Sequence, residues 1–306
     1  MISFPDYVQE LAENLAHDGR YPASQSYSTL HRSLREFAQP GSLEFADITP
    51  AIIKKYERWL FDRGCCRNTV SLYLRLMRSV CRQAAAAGMM EYTDALFARV
   101  FMGYDPSDKR AVSADIFSRL IVLDLTNDRG LAFARDMFLL SFYLRGIPYI
   151  DLAHLRRGDV RNGVLHYRRS KTGQPLAVTL EPWAVEIIER YATEIPDSPL
   201  LLPIIKRPQE DDEQKQYDSA LRLYNKRLRK LASLLGVKEK LTSYVARHSW
   251  ATIAYHDGIP VSEISAGLSH TSEHVTYAYL ESFSMDTLAG INLQVVGLVN
   301  GMRFSI

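Results

Sequence analysis

The chain has 306 residues, 47% of them hydrophobic and 24% charged, with a formal net charge of +2, which leaves room for two domains with proper cores. Its longest apolar stretches, such as "PLLLPII" at 199–205, are too short to cross a bilayer, and the N-terminus has no basic-then-apolar signal pattern. The three cysteines, Cys65, Cys66 and Cys81, have neither metal-like spacing nor an even count, so a reduced, cytoplasmic protein is expected.

The first hundred residues read as helices with clear punctuation. Ser3 and Pro5 open one, and a second runs from about Ala23 to Phe37. In "DITPAIIKKYERWLFDRG", Thr49 is the expected N-cap, Pro50 the first helical residue and Gly64 the stop. The next helix, in "RNTVSLYLRLMRSVCRQAAAAG", opens at Asn68 or Thr69 and stops at Gly88. On it Val70, Tyr73, Leu74, Met77, Val80 and Cys81 share one face, and Arg75, Arg78 and Arg82 fall on a neighbouring one. Such a helix can pack on one side and present a guanidinium row to phosphates on the other; a plain solvated face is the alternative.

At 103–113, "GYDPSDKRAVS" has no periodicity and reads as a linker between a domain at 1–102 and one at 114–306. Helical stretches at about 113–123 and 129–144 lead to a break at "RGIP". In "RNGVLHYRRSKTGQPLAVTL", the pairs Asn162-Gly163 and Thr172-Gly173 mark turns between alternating apolar residues, which predicts a small antiparallel sheet. Helices return from Pro182 onward. The fold class expected is mainly α with a small antiparallel β-sheet.

Charge is divided by region. Lys54 to Arg82 holds eight basic and two acidic residues, Leu155 to Gly173 six and one, and Arg222 to Lys240 seven and one. Three basic runs in a nearly neutral chain suit an extended polyanion.

The segment "LTSYVARHSWATIAYHDGIPVSEISAGLSHTSEHVTYAYL", 241–280, resembles the catalytic domain of the tyrosine recombinases, the phage-integrase family of site-specific DNA recombinases. Arg247 stands at the arginine of the family's His-x-x-Arg, His270 at the histidine of its Leu-Gly-His, here "LSH", and Tyr279 at the nucleophile nine residues later. Tyr277, about 200° away on a helix, is a packing or surface residue. The first half resembles the family's core-binding domain, including the "RNTVSLYL" helix. The resemblance implies a two-domain, C-shaped clamp on duplex DNA, with Lys54, Lys55, Arg75, Arg78 and Arg82 as DNA-contacting candidates. It also implies a homo-tetramer on two DNA sites, accessory DNA-bending proteins as possible partners, and a bacterial or mobile-element origin with the protein at the nucleoid.

The implied chemistry is transesterification. A tyrosine oxygen attacks a phosphodiester, giving a 3′-phosphotyrosine and a free 5′-hydroxyl, and a later 5′-hydroxyl reverses the step. The covalent link conserves bond energy, so the expected cofactor list is empty: no ATP and no metal. Arg247 would clamp the phosphate, Lys171 in "RRSKTGQP" would protonate the leaving oxygen, and His270 would hydrogen-bond the same phosphate.

Two positions depart from the family pattern. Tyr244 stands where the His of His-x-x-Arg belongs; its hydroxyl can donate to phosphate but accepts a proton poorly, and His248 points to another side of the helix. In "LRGIPYIDLAHL", Asp151 and Leu152 match the family's acidic-apolar pair, but Pro148 occupies the arginine position. Arg145, one turn earlier, is the expected substitute; the rival is a site that leans on Arg247 and Lys171 alone. Asp151 is expected to orient an arginine or cap the following helix.

Recombinase activity (integration, excision or inversion) is the leading reading. The alternatives are type IB topoisomerase-like cleavage and religation, or a DNA-binding regulator with weakened catalysis. The chain begins at once with the core-binding-like helices, which favours inversion or resolution. Its apolar end, "INLQVVGLVNGMRFSI" at 291–306, is expected to dock either on a neighbouring subunit or on its own domain.

Overall fold

The computed structural model describes residues 2–105, 111–208, 212–270, 272–277 and 280. Two compact units emerge, Met1–Ser107 and Asp108–Ile306, and their boundary falls inside the aperiodic stretch at 103–113. No helix among the described residues is long and apolar enough to cross a membrane.

The first unit consists of α1 (Phe4–His17), α2 (Tyr21–Ala38), α3 (Pro50–Asp62) and α4 (Arg67–Ala86) with short 3-10 turns. Ser3 and Thr49 cap α1 and α3 as their chemistry dictates: each side-chain oxygen accepts from a backbone N–H three residues on. The second helix starts two residues before Ala23, with Pro22 in its first turn where no N–H is needed. The fourth starts at Arg67, earlier than Asn68 or Thr69, because both capping candidates are engaged elsewhere. Asn68 donates to and accepts from the backbone of Asp105, each at 2.7 Å, and the Thr69 hydroxyl pairs with Cys66 Sγ. The core takes Val70, Leu74, Met77, Val80 and Cys81 from α4 against Leu30, Leu34, Ile53 and Tyr56, while Tyr73 is half-buried.

The second unit runs α5 (Ala114–Val122), α6 (Arg129–Tyr143), α7 (Tyr149–His154), β1 (Val160–Arg161), β2 (Val164–Arg168), β3 (Pro175–Thr179), α8 (Pro182–Ala192), α9 (Glu213–Leu234), α10 (Val245–His256), α11 (Val261–Leu268) and α12 (Glu273–Tyr277). The three strands form one antiparallel sheet in the order β1-β2-β3. Asn162 and Gly163 both take positive φ, 51° and 74°, as a two-residue hairpin turn of the right twist requires. Leu165 pairs with Val178 in register, and both point into the core. That core gathers Met137, Phe138 and Leu140 of α6, Leu228 and Leu231 of α9, and Val245 and Ala246 of α10. A smaller cluster of Ala251, Ile264, Leu268 and Leu280 seats α11 on α10. The architecture is thus mainly α with a small antiparallel sheet, as the sequence predicts.

Candidate active site

Two helix ends build the site. At the end of α6, Arg145 N–H donates to Phe142 O (3.1 Å) and Gly146 N–H to Ser141 O (2.8 Å), the paired bonds of a Schellman closure. The residue that must turn left-handed in this motif is Arg145, with φ of 57°. Glycine normally holds that seat; an L-residue there costs about 1 kcal/mol. The end of α11 repeats the pattern: Ser269 N–H donates to Ala266 O and His270 N–H to Ser265 O, both 3.0 Å, and Ser269 has φ of 57°. The serine of "LSH" therefore occupies a left-handed seat where the family motif has glycine. Among the described residues only Arg145, Asn162 and Ser269 combine positive φ with a side chain, and two of the three are at this site.

Arg247, in the first turn of α10, bridges the two ends. Its side chain is 97% buried, with 3% relative exposure. Nη1 donates to Gly146 O at 3.0 Å, and Nη2 donates to Leu268 O at 2.6 Å and lies 3.0 Å from His270 Nε2. Gly146 is indispensable to this approach. Its φ is +70°, and a Cβ there would stand 2.6 Å from Arg247 Cα and 2.8 Å from Arg247 Cβ and Cγ. The side chain of the neighbouring Arg145, a half-buried residue, makes no hydrogen bond or ion pair among the described residues, and acts with Arg247 and Arg169 on the Tyr167 phenol. Burial and then Asp151 nevertheless push that phenol up to about 12.

The tautomer of His270 follows from its partners. A guanidinium N–H can only donate, so Nε2 accepts from Arg247 and the ring proton sits on Nδ1, which donates to Thr276 Oγ1 at 2.8 Å. Burial, followed by the charges of Arg247, Arg169 and Lys171, lowers the imidazole to about 4, and it is neutral at physiological pH.

Lys171 lies exposed in the turn between β2 and β3, close enough to act on His270. The root of its hairpin is fixed from inside. Asp151 on α7 accepts from Ser170 N–H at 2.9 Å, and its other oxygen forms an ion pair with Arg169 Nε at 2.9 Å. Arg169, 8% exposed, also donates through Nη1 to Leu268 O at 3.1 Å. Asp151 thus orients an arginine, as expected, but that arginine is Arg169, and the backbone it caps belongs to the hairpin. The Leu268 carbonyl, at the negative end of α11, takes both Arg169 and Arg247.

Sequence reasoning missed Gly146, Arg169 and Thr276. The signal for Gly146 was its place beside Arg145 at a helix end. Arg169 sits two residues before Lys171 in an otherwise exposed basic run. Nothing in the sequence marks Thr276.

The other expected residues are placed as follows. Tyr244 is the N-cap residue of α10 and 49% exposed. Tyr277 is 53% exposed, a surface residue. Tyr279 and the apolar segment 291–306 lie outside the described residues. On α4, Arg75 and Arg82 are exposed and Arg78 is half-buried; Arg82 already pairs with Asp94 at 2.9 Å and lies over the Tyr92 ring. Lys54 pairs with Glu57 and donates to Arg99 O. With Lys55, Arg58 and Arg99 it rims a cavity of about 510 Å³ at the start of α3; Arg58 and Arg99 were not foreseen.

A family model described as the phage integrase family matches residues 127–285, and one described as a phage integrase SAM-like domain matches residues 3–98. No curated protein matches the sequence. Among solved structures, the fold is similar to lambda integrase in a dimer bound to a COC′ core site, with 17% identity, 93% of this chain and 100% of that chain covered, and a TM-score of 0.66. It is equally similar to the integrase of transposon Tn1549 in complex with transposon right end DNA, with 12% identity, 97% and 100% covered, and a TM-score of 0.66. A lambda integrase tetramer bound to a Holliday junction matches at 17% identity, over 92% of this chain and 78% of that chain, with a TM-score of 0.62.

Proposed function

Because the chain belongs to the phage integrase family of tyrosine recombinases, we propose that it is a site-specific DNA recombinase that cleaves by attack of Tyr279 on a phosphodiester, with a 3′-phosphotyrosine intermediate. The observation that carries this reading is the buried Arg247 held between the Arg145–Gly146 turn and the Leu268–His270 turn. Two guanidinium groups that both act on the Tyr167 phenol suit the negative charge that grows on the nonbridging oxygens in the transition state. Arg247 and Arg145 then clamp the phosphate, and Lys171, on a hairpin anchored by Asp151 and Arg169, protonates the departing 5′-oxygen. Tyr244, exposed beside Arg247 in the chain, donates a hydrogen bond to the phosphate rather than accepting a proton.

On this reading the partner is double-stranded DNA, contacted in the first unit by Lys54, Lys55, Arg75, Arg78 and Arg82. Strand exchange proceeds in a homo-tetramer on two DNA sites. The reaction draws on neither ATP nor a metal.

The test is a nicked suicide duplex carrying the cognate site, selected from a genomic library by binding. Wild type should form a protein–DNA adduct that survives denaturation, and Tyr279→Phe should form none. Tight binding without an adduct, over several salt concentrations, would instead mark a DNA-binding regulator. An adduct persisting in Tyr279→Phe would move the nucleophile to Tyr277.

A further inference from the structure

We propose that Thr276 is a positioning residue that lets His270 change from hydrogen-bond acceptor to donor when an oxyanion enters the clamp; this rests on the reading of Arg247 and His270 as a phosphate site. Thr276 is fully buried on α12 and holds His270 Nδ1 at 2.8 Å, while His270 Nε2 accepts from Arg247 Nη2 at 3.0 Å. In this arrangement the nitrogen that faces the clamp carries a lone pair. A phosphate oxygen also offers only lone pairs, so an entering phosphodiester takes the Arg247 donor and leaves two acceptors opposed.

Two changes relieve that opposition. His270 can gain a second proton, but burial and the cations facing it, Arg247, Arg169 and Lys171, oppose an imidazolium. Alternatively, one proton leaves Nδ1 for solvent and one arrives from solvent at Nε2, with no change in net charge. The second route requires the partner of Nδ1 to turn from acceptor into donor. A hydroxyl does so by rotating about its C–O bond, whereas a carbonyl or carboxylate oxygen can only accept. Thr276 therefore supports both tautomers without moving a heavy atom. It is also three residues from Tyr279 in sequence, so the same side chain ties the clamp to the segment that carries the nucleophile.

The test is nitrogen NMR of the full chain labelled at His and Arg, at pH 7, with sulfate as the probe. Sulfate has no proton to give at that pH, so any hydrogen bond to it comes from the protein. Wild type should carry the proton on Nδ1 without sulfate and on Nε2 at saturation, and Thr276→Ser should do the same. Thr276→Val, equal in shape but unable to hydrogen-bond, should keep the proton on Nδ1 without sulfate, where Arg247 alone fixes it, but show a mixture of tautomers at saturation and bind sulfate about tenfold more weakly, the worth of one lost hydrogen bond.

Three results overturn the inference: sulfate that shifts Arg247 Nε but leaves the His270 tautomer unchanged, protons on both ring nitrogens in the sulfate complex, or a Val variant that behaves as wild type. Sulfate that moves neither Arg247 nor His270 also overturns it, whatever else is seen. Adduct formation on the suicide duplex, measured in parallel, separates the failures. An adduct with an unchanged tautomer removes only the role of Thr276. No adduct and no sulfate response removes the phosphate site itself.

Discussion

The ends of α6 and α11 close with the same pair of hydrogen bonds and the same left-handed residue, yet they present their chemistry one residue apart. In the first, the left-handed seat itself holds the side chain proposed to clamp phosphate, Arg145, and the next residue, Gly146, is pressed against the backbone of α10. In the second, the seat holds the buried Ser269 and the next residue, His270, is the one that meets Arg247. One backbone motif thus delivers a carbonyl, that of Gly146, and an imidazole to the same guanidinium, and its last position tolerates a side chain at only one of the two ends. Both seats forgo glycine, and local strain of this kind collects at functional sites.

The comparison can be broken most severely at Gly146. Gly146→Ala should lose about 3 kcal/mol of stability, from the left-handed φ and from overpacking against Arg247, as read by urea denaturation. The corresponding residue of the other end already carries an imidazole, so His270→Ala should show no such loss. Relief of strain sharpens the parallel. Arg145→Gly should gain about 1 kcal/mol, visible as a higher denaturation midpoint with an unchanged slope. Ser269→Gly should gain about 0.5 to 1 kcal/mol on the same grounds, with His270 kept in place; a loss at either position would mean that the seat is not strained.

A separate effect is one of pH. The folded His270 titrates at about 4, below the ordinary histidine value near 6.5. As pH falls below 6.5 the unfolded chain takes up a proton that the folded one refuses, so wild-type stability should decline between about 6.5 and 4 and level off below. His270→Gln should lack that component, measured as the difference between the two stability–pH curves; parallel curves would contradict it.

Much of this was legible in the sequence, for identifiable reasons. Helical periodicity and Pro or Gly punctuation gave α3, α4 and the hairpin at Asn162-Gly163, because those signals act within a few residues. The resemblance of 241–280 to the family motif singled out Arg247 and His270, which the fold brings to 3.0 Å of each other. The errors lie where tertiary contacts took over local groups. Asn68, which reads as a cap, instead holds the Asp105 backbone. Arg169, which reads as one of several solvated cations, is buried against Asp151 and Leu268 O. Gly146 reads as a helix break, but its necessity comes from Arg247, 101 positions away. Thr276 has no local signature at all; only the folded chain sets its hydroxyl against the His270 ring.

The most direct test of the central claim, that the two helix ends serve one phosphate, is the rate of covalent adduct formation by Arg145→Gly on the suicide duplex. Loss of one transition-state donor should slow the adduct by roughly 10² to 10³, in a protein at least as stable as wild type. A variant that is more stable and cleaves at the parental rate would show that Arg145 fills its strained seat for some other reason, and that Arg247 works without it.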